Sequence, residues 1–138
     1  MALPTTYRSF VDNLEALTIT GVVRQYTQGP PTAAPATADC PCQFVIYPGG
    51  EERSLVFGMQ GGLRSIHAEL WVVVEPIAQN VQAENWDDGV DFMDAVGTAL
   101  QGADCFTKAH LEWDSSLVER AIAGVQYWVV VTNVRGTG

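Results

Sequence analysis

His67 and Glu69 are the side chains whose spacing best suits acid–base chemistry, because they stand two positions apart in a segment that predicts a β-strand. Residues two apart share one face of a strand, which places an imidazole beside a carboxylate. The pattern brings no activated nucleophile to them, and the chain has neither a phosphate-binding glycine-rich loop with lysine nor a Gly-x-Ser-x-Gly turn. We therefore interpret the two residues as a surface or interface pair and predict that the protein is not an enzyme.

Three cysteines, Cys40, Cys42 and Cys105, are the next residues whose type suggests chemistry. One proline separates Cys40 from Cys42, whereas zinc-binding pairs are usually two residues apart, and only the distant His67 and His110 could complete a site. An odd number of cysteines cannot form a closed set of disulfides and suits a reducing compartment. We interpret Cys42 and Cys105 as small apolar side chains and predict no metal and no cofactor.

Five carboxylates form a stripe along a predicted helix that spans about residues 85–101, with Asn85 as its N-cap and Gly102 after its end. The apolar side of this helix consists of Trp86, Val90, Met93, Gly97 and Leu100. Nearly opposite lies the acidic stripe, which consists of Glu84, Asp87, Asp88, Asp91 and Asp94. Three of its aspartates are spaced to hold a divalent cation, but a solvated helix face is the simpler interpretation. A functional alternative is that the stripe docks on a basic patch of a partner.

Three aromatic residues, Trp71, Trp128 and Phe92, are candidates for a surface between subunits. Trp71 and Trp128 belong to long predicted strands that are apolar on both faces, which is more apolar surface than one layer of helices can cover. Phe92 lies outside the apolar side of its helix and has no evident partner within the domain. We therefore expect these residues to contact a neighbouring subunit.

These residues are positioned by a predicted α+β domain, in which a helix, three strands, a helix and two strands follow one another. An apolar stripe from Tyr7 to Leu17 predicts the first helix. The predicted strands cover about residues 43–47, 53–59, 64–75, 111–114 and 119–134, with turns at Pro48-Gly49-Gly50 and Gly61-Gly62. In the third strand one face carries the core residues Ile66, Ala68, Leu70, Val72 and Val74. We expect a twisted, largely antiparallel sheet with the two helices packed on one face.

A segment rich in proline and alanine, at about residues 25–39, interrupts this pattern. It offers almost no residues for a core, so we predict an exposed loop within a single domain of residues 1–138. We further expect the loop to be mobile in a free subunit and ordered by a neighbouring subunit or another partner.

Composition sets broad limits on function. The chain has 138 residues, of which 47% are apolar and 17% charged, and its formal net charge is −9. Such a deficit of lysine and arginine disfavours a protein that grips phosphates, including a dedicated nucleic-acid binder. No segment is long and apolar enough to predict a membrane-spanning helix, and the first residues lack the basic and apolar regions of a signal peptide. We therefore expect no membrane partner and a protein that stays in the compartment where it is made.

Across nearly its whole length the chain resembles the tail terminator proteins of long-tailed bacteriophages, a family that includes the lambda-like minor tail protein that caps the tail tube. The resemblance lies in the order of the elements and in five stretches of sequence. These are Leu14-Glu15-Ala16-Leu17, Cys42-Gln43-Phe44-Val45-Ile46-Tyr47-Pro48-Gly49-Gly50, His67-Ala68-Glu69-Leu70-Trp71-Val72-Val73-Val74, Met93-Asp94-Ala95-Val96-Gly97-Thr98-Ala99-Leu100 and Gln126-Tyr127-Trp128-Val129-Val130-Val131. The long proline- and alanine-rich loop departs from the family pattern.

The resemblance implies a structural virion protein without enzyme activity. Its subunits would form a homohexameric ring that caps the tail tube, stops tube polymerisation and receives the head through a head-completion or neck protein. The protein would be assembled in the host cytoplasm and reside at the head-proximal end of the tail. Duplex DNA would pass through the ring without being bound, and the acidic stripe is then a candidate lining of the lumen. Two alternatives stay open: a head-closure or neck connector protein, and a small cytosolic ligand-binding domain or enzyme that uses the His67 and Glu69 face.

Overall fold

A computed structural model describes residues 7–27, 29–54, 63–77, 82–102 and 110–137. In these residues a five-stranded sheet carries two helices, which confirms the predicted α+β class. The strands lie in the order β1-β2-β3-β5-β4, in which β1 runs parallel to β2 and every other pairing is antiparallel. The elements in chain order are α1 (Tyr7–Glu15), β1 (Arg24–Gln25), a 3₁₀ turn (Thr37–Asp39), β2 (Cys42–Ser54), β3 (Leu63–Pro76), α2 (Gln82–Gln101), β4 (His110–Ile122) and β5 (Val125–Thr137).

Both helices pack on one face of the sheet, called the helix face. The side chains of Phe10, Val11 and Leu14 on α1 are fully buried there, as the apolar stripe of the sequence predicts. The alternating residues of β3 form the opposing layer, and the predicted core set is confirmed for all five members: Ile66, Ala68, Leu70, Val72 and Val74. No helix in the described part of the chain is long and apolar enough to cross a membrane.

The predicted apolar side of helix α2 is confirmed at Leu100, which is buried, and at Met93, which packs against the core, but it is wrong at Val90. Val96 is buried against the sheet, whereas Val90, predicted to face the core, is 36% exposed. The residue that approaches the sheet in its place is Gly89, which is buried and lies so close to Leu117 that a Cβ atom at position 89 would stand 2.5 Å from Leu117 Cδ1. The prediction failed because it ranked positions by apolar side-chain size, and a glycine that permits close approach has none.

The start of α2 also differs from the prediction. The helix begins at Gln82, so Asn85 lies within its first turns and is not the N-cap. Its end at Gln101, just before Gly102, agrees with the predicted stop.

Two strand boundaries differ from the prediction as well. Strand β2 runs through Pro48-Gly49-Gly50, where the pairing with β3 shifts register between Ile46 and Gly50, so these residues form an irregularity within a strand and not a hairpin turn. The predicted strand at 53–59 and the Gly61-Gly62 turn lie almost wholly outside the described residues, and only Arg53 and Ser54 are seen, as the end of β2.

The predicted terminal strand at 119–134 is in fact part of a hairpin. Ala123 and Gly124 turn the chain with φ values of +49° and +85°, and Ile122 pairs with Val125 across them. Two consecutive residues with positive φ are typical of the two-residue turns that match the twist of antiparallel strands. Alanine is rare in that conformation, so of the two turn residues only Gly124 is of a type that predicts such a turn.

Candidate functional site

The face of the sheet opposite the helices is divided into two halves of different character. In one half, apolar side chains from β2, β3 and β5 are buried; they are Cys42, Phe44, Val73, Tyr127, Val129 and Val131. In the other half the strands present polar side chains, namely Ser65, His67, Glu69, Glu112, Asp114, Asn133 and Arg135. We call these the covered half and the polar half.

The covered half is closed by the proline- and alanine-rich segment of the same chain. Pro35 is buried, Ala34 packs against the apolar cluster, and the Tyr127 hydroxyl donates a hydrogen bond of 2.8 Å to the Pro35 carbonyl oxygen. Pro30, Thr32, Ala33 and Ala36 remain exposed. The expectation of a loop that only a partner could order is therefore corrected, because tyrosine and apolar contacts within the subunit already hold this segment.

A buried polar cluster fixes the start of this segment beside the end of α1. Glu15 is only 1% exposed, and its Oε2 atom accepts a hydrogen bond of 3.1 Å from the backbone N–H of Gly29. The fully buried Gln43 donates through Nε2 to the carbonyl oxygens of Leu17, at 2.7 Å, and Glu15, at 3.3 Å. Gln25 also donates to Leu17, at 2.9 Å. These bonds satisfy carbonyl groups that the end of a helix leaves without partners.

Replacing Tyr127 by phenylalanine is expected to release the segment. The substitution keeps the ring but leaves the buried Pro35 carbonyl without its donor, so the free energy of unfolding should fall by about 1–3 kcal/mol. Burial raises the pKa of Tyr127, so the hydroxyl stays protonated at neutral pH, and its contribution is lost only as the pH rises through that raised pKa. Urea denaturation measures the loss, and proteinase K cleavage within residues 29–38 measures the release. Unchanged protection of these residues would contradict the role given to Tyr127.

The polar half brings the predicted pair His67 and Glu69 together with residues from the two strands beside it. In the register, His67 stands opposite Arg135 and Glu69 opposite Asn133, while Glu112 and Asp114 of β4 continue the two rows. Asn133 donates a hydrogen bond of 3.0 Å to Asp114 Oδ1, and Arg135 Nη1 donates one of 3.2 Å to Ser65 Oγ. The rows line an open depression of about 380 Å³. Three carboxylates, one guanidinium, an imidazole and an amide line it, and such groups can hold a small polar ligand by hydrogen bonds.

The structure does not bring the three aromatic candidates together. Trp71 lies on the covered half, where its ring centroid is 5.7 Å from that of Phe44 and 5.9 Å from the Arg120 guanidinium carbon. Trp128 lies on the helix face and packs against the core. In both tryptophans Nε1 is buried and has no acceptor among the described residues. Opposite faces of one sheet cannot form one continuous contact surface.

Phe92 has a partner within its own subunit, contrary to the sequence prediction. It is half-buried and packs against the core of the helix face, and two of its ring carbons would lie 3.2 Å from a Cβ atom at Gly21. Gly21 has φ of +92° at the turn that follows α1, so Phe92 joins α2 to this turn. The premise that Phe92 needs a neighbouring subunit is wrong, although a contact through its exposed edge stays a prediction.

The substitution Phe92→Asp is expected to weaken the monomer. A carboxylate would replace a half-buried ring, and the free energy of unfolding should fall by about 1–3 kcal/mol. Asp91→Ala, which changes an exposed neighbour, serves as the control and should leave the midpoint of urea denaturation nearly unchanged. A Phe92→Asp variant as stable as the control would show that the contact with Gly21 contributes nothing.

The acidic stripe lies on the solvent side of α2. Asp87, Asp88, Asp91 and Asp94 are all exposed, and the side chain of Glu84 lies outside the described residues. Among the residues that the structure describes, no three histidine, cysteine or carboxylate side chains are grouped closely enough to hold a metal ion. The stripe is therefore a charged surface available to a partner.

The outer edge of strand β4 is a long edge of the sheet. Strand β4 has 13 residues and pairs along its whole length with β5. It is the last strand of the sheet, so its outer edge has no partner strand within the described residues. At the opposite edge, β1 pairs only with Cys42 and Gln43, and the described part of the chain leaves the rest of β2 unpaired on that side.

Comparison with known proteins does not assign this arrangement to a family. No family model matches the sequence, and no curated protein matches it significantly. The similarity to tail terminators therefore rests on the order of the elements and the stretches quoted for it above.

Proposed function

We propose that the chain is a structural subunit of a bacteriophage virion, which forms a homohexameric ring at the head-proximal end of the tail. In this role it caps the tail tube, stops polymerisation of the tube protein and offers a surface to the head-completion or neck protein. The resemblance in sequence supports the family, and the unpaired edge of β4 supports assembly.

The edge of β4 carries the proposal because an unpaired strand is a template for pairing with another chain. Monomeric proteins block such edges with charged side chains, above all lysine, or with proline, bulges or short strands. Residues 110–122 contain neither lysine nor proline, and the pairing with β5 is regular over all 13 residues. The charged residues of this strand are Glu112, Asp114, Glu119 and Arg120. A strand of that length offers about 44 Å of hydrogen-bonding groups to a partner.

The two edges of the sheet differ from each other, which suits a ring. Contact between the β4 edge of one subunit and the β2 edge of the next would join two different surfaces. Repeated contacts of this kind close into a ring when the rotation between subunits allows it. The same surfaces would generate an open fibre if the rotation did not close, so the assembly can be recognised by its shape.

The charge of the protein is consistent with the passage of DNA through such a ring. The formal net charge is −9, and the exposed aspartates of α2 concentrate part of it on one surface. Carboxylates repel the phosphate backbone, so a lumen lined by them would not retain DNA. A negative net charge also favours solubility, so the role of the acidic stripe in the lumen needs a test of its own.

Reversing the stripe with Asp87→Lys, Asp91→Lys and Asp94→Lys is expected to slow DNA ejection severalfold while tube-length control and head joining stay at wild-type levels. The positive side chains would attract phosphates in the lumen. All three residues are exposed, so the fold should tolerate the change. Impaired docking of the variant, together with wild-type docking that weakens as ionic strength rises, would instead place the stripe against a basic patch. Normal results in all three assays would make the stripe a solvated helix face.

Ring formation can be tested directly by size-exclusion chromatography with light scattering, with the purified chain alone and with tube protein of the same phage. We expect a monomer or weak oligomer alone and a ring, six subunits in mass, in the presence of tubes. Negative-stain images then distinguish a closed ring from a fibre. A chain that stays monomeric under both conditions would contradict the proposal.

A second candidate function is binding of a small polar ligand in the polar half of the sheet. The depression lined by His67, Glu69 and Arg135 is the observation that favours it. A monomer whose His67 resonances shift on titration with small metabolites would support this candidate over the ring.

A further inference from the structure

Two thiols lie side by side where the proline- and alanine-rich segment enters the sheet. Cys40 and Cys42 flank Pro41, and their side chains are within hydrogen-bonding distance of each other. Cys42 is buried in the apolar cluster of the covered half, whereas Cys40 is only half-buried at its margin. A small reagent can therefore approach Cys40 but not Cys42.

The backbone around the thiols is fixed by hydrogen bonds. The Pro41 carbonyl oxygen accepts from the backbone N–H of Val23 at 2.8 Å, and Cys42 pairs with Arg24 on one side and with Val73 on the other. Before Cys40, the backbone N–H of Asp39 donates to the Ala36 carbonyl oxygen at 2.9 Å. Two residues of chain span at most about 7 Å, close to the upper limit of the Cα separations found in disulfides. The backbone of the pair is therefore held by contacts that do not depend on the thiols.

The environments of the two thiols differ in a way that gives them different reactivity. The hydrogen bond from Cys42 lowers the pKa of Cys40, which favours its thiolate. The same hydrogen bond, together with burial, raises the pKa of Cys42. Since the thiolate is the nucleophile, Cys40 is the thiol that attacks a disulfide first, and Cys42 is the thiol that then attacks the Cys40 sulfur.

We propose that Cys40 and Cys42 form a thiol–disulfide exchange site that takes small disulfides such as oxidised glutathione. The proposal rests on the position of the half-buried Cys40 beside the buried Cys42. It does not depend on whether the protein forms a ring. In the first step the Cys40 thiolate attacks one sulfur of the small disulfide, a mixed disulfide forms and one thiolate leaves. In the second step the Cys42 sulfur attacks the Cys40 sulfur and the Cys42 proton passes to the second glutathione thiolate as it is expelled, which forms the Cys40–Cys42 disulfide. The protein is oxidised by two electrons, and one small disulfide is reduced to two thiols.

The test uses the full chain, oxidised glutathione and mass spectrometry of tryptic peptides. Trypsin places Cys40 and Cys42 in one peptide, residues 25–53, and Cys105 in another, residues 65–108. We expect the wild-type peptide 25–53 to lose two hydrogens and to retain no glutathione. Cys42→Ser should retain one glutathione on Cys40. In Cys40→Ser, peptide 25–53 should react at least about tenfold more slowly, since Cys42, the thiol that remains in it, is buried.

Denatured protein provides the control for a structural origin of this difference. In urea the two single variants should react with glutathione at similar rates, because burial and the hydrogen bond are gone. The proposal would be overturned if the wild-type peptide stayed reduced while Cys105 reacted, or if it retained glutathione. It would equally be overturned if Cys40→Ser and Cys42→Ser reacted at equal rates in the folded state, as verified by circular dichroism.

Discussion

Lysines placed on both faces of the edge strand, as Ser116→Lys together with Ala121→Lys, are expected to prevent assembly while the monomer stays folded. Both residues are exposed, so the free energy of unfolding should change by no more than about 0.5 kcal/mol. A neighbouring strand that paired with β4 would have to desolvate the new ammonium groups, which is how natural edges avoid pairing. A loss of about 1.4 kcal/mol per contact weakens each contact about tenfold. Because a ring repeats the contact between every pair of subunits, the concentration needed for assembly should rise at least tenfold.

The matched control puts the same charge on a surface far from the edge. Thr98→Lys with Gln101→Lys changes two exposed residues of α2 and should assemble like the wild type. Negative-stain counts of rings on tubes, over a range of concentrations of each chain at constant tube protein, compare the three proteins. If the β4 variant assembled as well as the control, the β4 edge would not be the contact between subunits.

A leucine at Gly89 is expected to produce the largest loss of stability from a single substitution on α2. A Cβ atom at this position would stand 2.5 Å and 2.8 Å from the two Cδ atoms of Leu117. The Leu117 side chain would therefore have to turn aside, and a whole leucine at position 89 would compete with it for the space between α2 and β4. Leucine favours helix over glycine by most of 1 kcal/mol, so any loss measures the clash. We expect the free energy of unfolding to fall by roughly 3 kcal/mol, at the upper end of what overpacking costs.

A pair of glycine-to-alanine substitutions separates the clash from helix propensity. Gly89→Ala should destabilise, whereas Gly97→Ala should stabilise by about 0.5–1 kcal/mol, because a Cβ atom there would lie 3.9 Å from Trp113 in ordinary contact. Combining Gly89→Ala with Leu117→Ala should restore the space and give a coupling free energy of about 1–3 kcal/mol. Additive effects in urea denaturation would contradict the close packing of α2 on β4.

The elements that could be predicted from the sequence are those in which large apolar side chains recur with the period of a helix or a strand. The apolar stripe of α1 and the alternation of Ile66 and Leu70 in β3 both place their residues on the helix face. Hydrophobic size dominates burial in these elements, so the local pattern suffices for them.

The features that the sequence did not reveal depend on residues without apolar side chains or on contacts between distant segments. Gly89 approaches Leu117 because it lacks a side chain, and Ala123 adopts a conformation that alanine rarely takes. Gln43 is buried, and it donates a hydrogen bond to Leu17, which lies just after α1 and 26 residues away along the chain. A glutamine within a predicted strand carries no signal of such a partner.

The candidate site was predicted in part for the same reasons. The alternation of a strand placed His67 and Glu69 on one face, and the register then brought Arg135 and Asn133 beside them. The docking of Pro35 on Tyr127 links residues 92 positions apart, and a segment rich in proline and alanine gives no local indication of it. The two thiols of Cys40 and Cys42 became a candidate site only when their different burial was known.

Electron microscopy of tubes polymerised with and without this chain shows whether it caps a tail tube as a ring. Tube protein of the same phage is polymerised alone, with the wild-type chain, and with the Ser116→Lys, Ala121→Lys variant. We expect the wild-type chain to shorten the tubes and to leave one closed ring at a single end of each, and we expect the variant to do neither. Tubes of unchanged length without rings at their ends, at concentrations of the wild-type chain well above that of the tube protein, would contradict the proposal.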